Sequence, residues 1–293
     1  MPLHPQHTSK GASVHCAKYT ANGQYLLSGG RDRRVNLWNS ESGEHVKAYE
    51  AHGYEVLDLA ITHDNARFAS VGGDKAVFLW DVASGRTVRR FAGHFQRINC
   101  VDFNEDGSVL ASGSVDTTLR LWDCKSSSSR PIQILDEAKD SVSSVVILGA
   151  LIVVGTVEGI VRTYDMRMGR LCTDVLGPAV TCISLTKDAN CALISALDST
   201  LRLMDGADGA VLHRYEGHRN AEFRVRSCFG RDEAMVLSGS EDGGVYVWDV
   251  VSGQVVEQAH GHAGVVSCVA HHPSKDQLVT TGADGKMIFW VRS

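Results

Sequence analysis

The sequence predicts an all-β fold: one domain made of seven repeating units, each a set of short antiparallel strands. The tryptophans give the period. Trp38, Trp80 and Trp122 stand 42 residues apart, as do Trp248 and Trp290, and the 126-residue gap from Trp122 to Trp248 holds two further members at the same period, Tyr164 and Met204. An acidic residue precedes each of the seven by six positions: Asp32, Asp74, Asp116, Glu158, Asp198, Asp242 and Asp284. A fixed period of this length marks a repeat architecture in which each unit buries its face against the next. The seven units fill residues 1–293 without a linker, so the chain is read as a single domain.

Within a unit the order of elements follows from turn chemistry. In the third, Ile98–Phe103 suits a first strand and Glu105-Asp106-Gly107 turns it. Val109–Ser112 is a second strand, Val115-Asp116-Thr117 a hairpin and Thr118–Trp122 a third strand. Asn22-Gly23, Ser42-Gly43 and Ser84-Gly85 supply the same signals elsewhere. No long stretch has the 3.6-residue period of a helix.

Composition narrows the class. At 43% hydrophobic and 22% charged the chain can bury a core. A net charge of −5 argues against a general nucleic-acid binder, which needs a basic face to release counterions, and no direct sequence-specific nucleic-acid contact is expected. No apolar run approaches the roughly 18 residues of a membrane span. The opening residues Met1-Pro2-Leu3-His4-Pro5 lack the apolar stretch of a secretory signal. A soluble, intracellular protein without membrane partners is expected. The eight cysteines include no Cys-x-x-Cys pair, so neither a disulfide framework nor a metal site is expected.

Gly93-His94 followed 28 residues later by Trp122-Asp123 resembles the WD40 repeat, and His52–Trp80 and His262–Trp290 keep the same spacing. His218–Trp248 is two residues longer, which places an insertion around Asn220–Arg226. The resemblance covers essentially the whole chain and implies a seven-bladed β-propeller. It also implies four buried hydrogen-bonded tetrads: His52/Ser70/Asp74/Trp80, His94/Ser112/Asp116/Trp122, His218/Ser238/Asp242/Trp248 and His262/Thr280/Asp284/Trp290. A His/Asp/Ser set invites a hydrolase reading, but copies at a fixed period are scaffold, so no catalytic residue and no cofactor is expected. The first unit has Lys10 where His would stand, and the fourth and fifth lose both His and Trp, so these blades are expected to be the least rigid. The last unit ends just past its third strand, and Leu3–His7 is in register with His45–Tyr49. The N-terminal segment is therefore expected to close the ring as a short, weak outer strand, with Pro2 and Pro5 tolerated at its edge.

Candidate contact residues come from the innermost strands and the loops that enter them. Cys16, Cys100, Cys182 and Cys268 share one position, which Asp58 and Ser144 occupy in the second and fourth units. In some WD40 proteins an acid there holds an arginine of the partner, so Asp58 is a candidate; a solvated carboxylate at the channel mouth is the alternative. The entry loops differ strongly: Tyr54-Glu55, Gln96-Arg97, Asp140-Ser141 and Glu222-Phe223. Variable loops on a rigid ring are where recognition concentrates, which selects Tyr54, Glu55 and Arg97 as partner-binding candidates. Arg120, Arg162 and Arg202, two before the Trp slot, are read as structural. Tyr164-Asp165-Met166-Arg167 resembles a relaxed form of the motif by which some WD40 proteins dock on cullin-4 ubiquitin ligases, with Arg167 as the contact.

Several longer strings resemble the mitogen-activated protein kinase organiser family of WD-repeat scaffolds: His52-Gly-Tyr-Glu-Val-Leu-Asp58, Gly72–Val77, Leu79–Gly85, Leu135–Ala138, Tyr164–Gly169 and Leu197–Leu203. That resemblance implies a non-enzymatic scaffold whose partners are spliceosomal proteins or components of a kinase cascade. It implies a monomer within a larger complex, in the nucleus and the cytoplasm.

Overall fold

The computed structural model describes Leu3–Arg292; Pro2, expected at the closing strand's edge, lies outside the described residues. The residues form seven four-stranded antiparallel sheets and no helix. Blade 1 is β2 (Val14–Tyr19), β3 (Tyr25–Gly30), β4 (Arg34–Asn39) and β5 (His45–Glu50). Blade 2 is β6 (Val56–Ile61), β7 (Arg67–Gly72), β8 (Ala76–Asp81) and β9 (Thr87–Ala92). Blade 3 is β10 (Ile98–Phe103), β11 (Val109–Ser114), β12 (Leu119–Asp123) and the short β13 (Gln133–Leu135). Blade 4 is β14 (Val142–Leu148), β15 (Leu151–Thr156), β16 (Ile160–Asp165) and β17 (Arg170–Val175). Blade 5 is β18 (Val180–Leu185), β19 (Cys191–Ala196), β20 (Thr200–Asp205) and β21 (Val211–Tyr215). Blade 6 is β22 (Ser227–Phe229), β23 (Met235–Gly239), β24 (Gly244–Asp249) and β25 (Val255–His260). Blade 7 takes β26 (Val266–His271), β27 (Gln277–Gly282) and β28 (Lys286–Arg292), with β1 (Leu3–Lys10) as its outer strand. Each innermost strand touches that of the next blade, and β2 touches β26, so the chain is a closed seven-bladed propeller.

The closing strand departs from expectation in length. β1 runs for eight residues, pairing from Leu3 opposite Arg292 to Lys10 opposite Lys286, with Leu3 buried. A register shift between Pro5 and His7 absorbs the proline, which cannot donate to the ladder. Lys10 does not stand in for a missing histidine; it ends this strand.

Side chains are buried mainly between blades. Between blades 1 and 2, Tyr49, Phe68 and Trp80 form one aromatic cluster, with ring centroids 4.8 Å (Tyr49–Phe68) and 5.7 Å (Phe68–Trp80) apart. Such contacts add about 0.5–1.5 kcal/mol each beyond area burial. Polar groups join the inner ends. The Asp58 carboxylate accepts from Val101 N–H (3.2 Å), Asp102 from Ile147 N–H (2.9 Å) and the Ser144 hydroxyl from Ile183 N–H (3.0 Å), each reaching the following blade.

Candidate interaction rim and channel

Three of the expected tetrads are assembled. In blade 2, His52 Nδ1–H donates to Asp74 (2.5 Å), and the Ser70 hydroxyl donates to His52 Nε2 (2.7 Å) while accepting from Trp80 Nε1–H (2.8 Å). That tautomer follows from the partners, since Asp74 only accepts and Ser70 already accepts from Trp80. Blade 3 repeats it with His94, Asp116 (2.9 Å), Ser112 (2.8 Å) and Trp122 (2.8 Å). Blade 7 repeats it with His262, Asp284 (3.0 Å), Thr280 (2.8 Å) and Trp290 (2.8 Å). Burial would raise the Asp74 carboxyl, but the bonds from His52 and from Gly53 N–H hold it below the usual range. All the hydrogen-bonding capacity of these imidazoles is used internally, so none is free to act as a base.

The fourth tetrad is not formed. Both ring nitrogens of buried His218 lack partners, Trp248 Nε1–H donates to Glu216 O (2.9 Å), and the Ser238 hydroxyl donates to Gly239 O (2.9 Å). Two local causes are visible. Tyr246 stands two before Trp248 and its hydroxyl donates to Asp242 (2.7 Å), taking the carboxylate His218 would have used. The inserted segment also winds around Glu241, whose Oε1 accepts from the N–H groups of Ala221 (2.7 Å), Glu222 (2.6 Å) and Phe223 (2.9 Å). Burial pushes the His218 imidazole down to about 4. Blades 4 and 5, which lack the histidine, pair their turn acid with an arginine instead: Arg162 with Glu158 (2.7 Å) and Arg202 with Asp198. Arg120 is buried beneath Phe95, its guanidinium 5.4 Å from the ring centroid. These three arginines are structural.

The inner ring holds a feature that sequence reasoning missed. Strand pairing places Ser227 opposite Ser238 as Leu59 lies opposite Ser70, so the blade 6 residue equivalent to Asp58 is Arg226. Counting back 42 residues from Cys268 reaches the same residue, a signal that was available in the sequence. Arg226 Nη1 donates to Asp58 Oδ1 across the channel (2.7 Å) and Nη2 to Leu57 O (2.9 Å). Arg224 reaches Asn99 O (2.5 Å) and Thr181 O (3.2 Å) and lies 4.0 Å from Asp58. The carboxyl, which burial would raise, is held below the usual range by Arg226, Arg224 and Lys18. The arginine expected from a partner is thus supplied by the chain itself, and Asp58, only 4% exposed, is neither a docking acid nor solvated.

The two arginines reach across the channel at the end where loops enter the innermost strands. The other end is a cavity of ≈440 Å³ lined by Lys18, Asp102, Lys187 and Glu233 among others. Burial pushes the Asp102 carboxyl up to about 6, against the pull of Lys18 and of Ile147 N–H. The cysteines of the ring are buried, and burial pushes the Cys100 thiol up to about 12. Among the described residues no group of three or more His, Cys, Asp or Glu is placed to hold a metal.

On the face where loops enter the innermost strands, Tyr54 is 63% exposed and Arg97 is exposed, with Phe95 (75%) beside it and Phe223 (51%) on the inserted loop. Glu55 is half-buried and pairs with His15 (3.2 Å). Arg167 lies on the opposite face in an exposed turn between β16 and β17, flanked by exposed Met166 and Met168, while the Tyr164 hydroxyl donates to Glu137 (2.8 Å).

Seven four-stranded blades, closed by the first strand, three of them carrying a His–Asp–Ser/Thr–Trp set, define a WD-repeat β-propeller. The chain belongs to this family: the description "WD domain, G-beta repeat" matches residues 3–39, 43–81, 85–123, 209–249 and 253–290. The long unmatched stretch, 124–208, holds all of blade 4 and the first three strands of blade 5, where arginine pairs with the turn acid in place of histidine. Among its relatives, WD repeat domain-containing protein 83 of Rattus norvegicus is 50% identical over 95% of this chain and 88% of the rat protein. The human protein of the same name is 51% identical over 92% and 85% of the two chains. A WD repeat-containing protein of Schizosaccharomyces pombe is 51% identical over 94% of each.

Proposed function

We propose that the chain is a non-catalytic scaffold that binds proteins through the face carrying Tyr54, Phe95, Arg97 and Phe223, and that it serves pre-mRNA splicing as a spliceosome-associated factor. The observation that carries the scaffold reading is this exposed aromatic and arginine set on a ring whose four tetrad-position imidazoles are either hydrogen-bonded internally or buried. Tyr, Phe and Arg are the side chains that anchor interfaces once desolvated. The splicing assignment, with residence in the nucleus and the cytoplasm, rests on the resemblance to the kinase-organiser family.

The test is affinity purification from nuclear and cytoplasmic extracts with wild type and a Tyr54→Ala/Arg97→Ala variant. Spliceosomal proteins recovered from the nuclear extract, and lost with the variant, support both function and face. Kinase-cascade proteins from the cytoplasmic extract replace splicing by the organiser role. Spliceosomal recovery that ignores the substitutions keeps the function and moves the site. The exposure of Arg167 favours a second reading, a substrate receptor of a cullin-4 ligase, which loss of adaptor binding in Arg167→Ala would support.

A further inference from the structure

The layer that Tyr49, Phe68 and Trp80 form between blades 1 and 2 has equivalent positions at the other blade junctions, and the position of Trp80 holds an aromatic residue (Trp38, Trp122, Tyr164, Trp248, Trp290) at all but one of them. Register defines the three equivalent positions. Val35 pairs with Tyr49 as Val161 pairs with Asp174, and Phe68 pairs with Trp80 as Ala192 pairs with Met204. Tyr49, Phe68 and Trp80 therefore become Asp174, Ala192 and Met204 between blades 4 and 5. Beside these smaller side chains lies a cavity of ≈340 Å³, walled by Val161, Met204 and Cys191 among others. Pockets for small ligands start at about 300 Å³.

Asp174 replaces the tyrosine at one wall. Its carboxylate accepts no hydrogen bond and pairs with no cation among the described residues, although Arg170 stands on the same strand and also lines the cavity. The turn of blade 5 lies against it so closely that a Cβ on Gly209 would sit 2.3 Å from Asp174 Oδ1. Burial and the neighbouring Asp208 together raise the Asp174 carboxyl, the signature of negative charge without a counter-ion.

We propose that this cavity binds a small aromatic amine, its ring taking the place of the missing aromatic layer against Ala192 and Met204 and its ammonium meeting Asp174. The apolar walls select an apolar body, and the carboxylate of Asp174, with Asp205 and Asp208 also lining the cavity, selects a cation over a neutral or anionic analogue.

Tryptamine is the probe, compared with indole and indole-3-propionate by calorimetry and saturation-transfer NMR on the full chain. Tryptamine is expected to bind at least tenfold more tightly than indole, and indole-3-propionate not at all. Asp174→Asn is expected to bring tryptamine down to the affinity of indole. Met204→Trp, which restores the residue other blades carry, is expected to abolish both, and Ala192→Phe serves the same purpose if that variant fails to fold. No tryptamine binding at millimolar concentration, equal binding of indole-3-propionate, or binding that survives both Asp174→Asn and a filled cavity would overturn the proposal.

Discussion

Replacing Arg226 with alanine strands the Asp58 carboxylate inside the ring. The variant loses the 2.7 Å contact between the two residues and the bond to Leu57 O, and leaves Asp58 with the N–H groups of Leu59 and Val101 and with Arg224 at 4.0 Å. Removing one partner of a buried pair costs about 3–5 kcal/mol, and the residual attraction of Arg224 puts the expectation near the lower end, about 3 kcal/mol. For a domain of this size that is a melting-temperature drop of roughly 6–12 °C. Asp58→Ala is expected to cost a similar amount by leaving two guanidiniums facing each other. The double variant is expected to cost about 1–3 kcal/mol less than the sum of the singles, because it leaves neither charge unpaired. Urea denaturation at pH 7.5 reads all four states, and raising salt to about 1 M should leave the coupling largely intact, since buried pairs are poorly screened. The pH dependence has a definite sign. The folded carboxyl titrates below its ordinary value of 3.8, so its contribution is fully present above that value and is lost as pH falls through the lower, folded one. Additive single-variant costs, or an Arg226→Ala cost under about 1 kcal/mol, would refute the picture of a cross-channel pair that fastens blade 2 to blade 6.

The histidines separate assembled from unassembled tetrads. His52→Ala is expected to lose about 3 kcal/mol by stripping partners from Asp74 and Ser70. His218→Phe should gain about 1 kcal/mol at pH 7.5, because it removes two buried nitrogens that have no partner. The folded His218 titrates at about 4 against an ordinary 6.5, so the unfolded chain takes up the proton first as pH falls between these values. Wild type is thus expected to lose about 2 kcal/mol by pH 5 from this group, a slope that His218→Phe abolishes in parallel denaturation curves. Deleting residues 1–10 bares β28 along its whole length and should lower the melting temperature and drive association, visible by light scattering. A monomer of unchanged stability would show that β1 does not fasten the ring. The buried thiols of Cys16, Cys100, Cys182 and Cys268 should react with a thiol reagent only after unfolding, and native reaction at the rate of a free thiol would contradict their placement.

Much of this architecture was legible in residue order because it is built from local rules repeated at one period. A turn acid six residues before an indole, a Gly-rich hairpin and short alternating strands depend on near neighbours. Seven copies of them leave little choice but a closed ring. Three tetrads followed for the same reason, each joining groups at most 28 residues apart. The fourth did not, because Tyr246 competes for Asp242 and the inserted loop is held by Glu241, events set by side-chain packing rather than spacing. The closing strand was placed correctly but proved longer, since the shift after Pro5 lets pairing continue to Lys10.

What only the tertiary structure decided lies where distant blades meet. Asp58 and Arg226 stand 168 residues apart in sequence and 2.7 Å apart in space because ring closure brings opposite innermost strands to one axis. The altered layer at Asp174, Ala192 and Met204 is likewise invisible residue by residue. Each substitution is unremarkable alone, and the cavity lies where three coincide at one junction. The repeat determined which residues face inward; closure of the ring determined which of them meet, because packing and charge pairing act across space and period acts only along the chain.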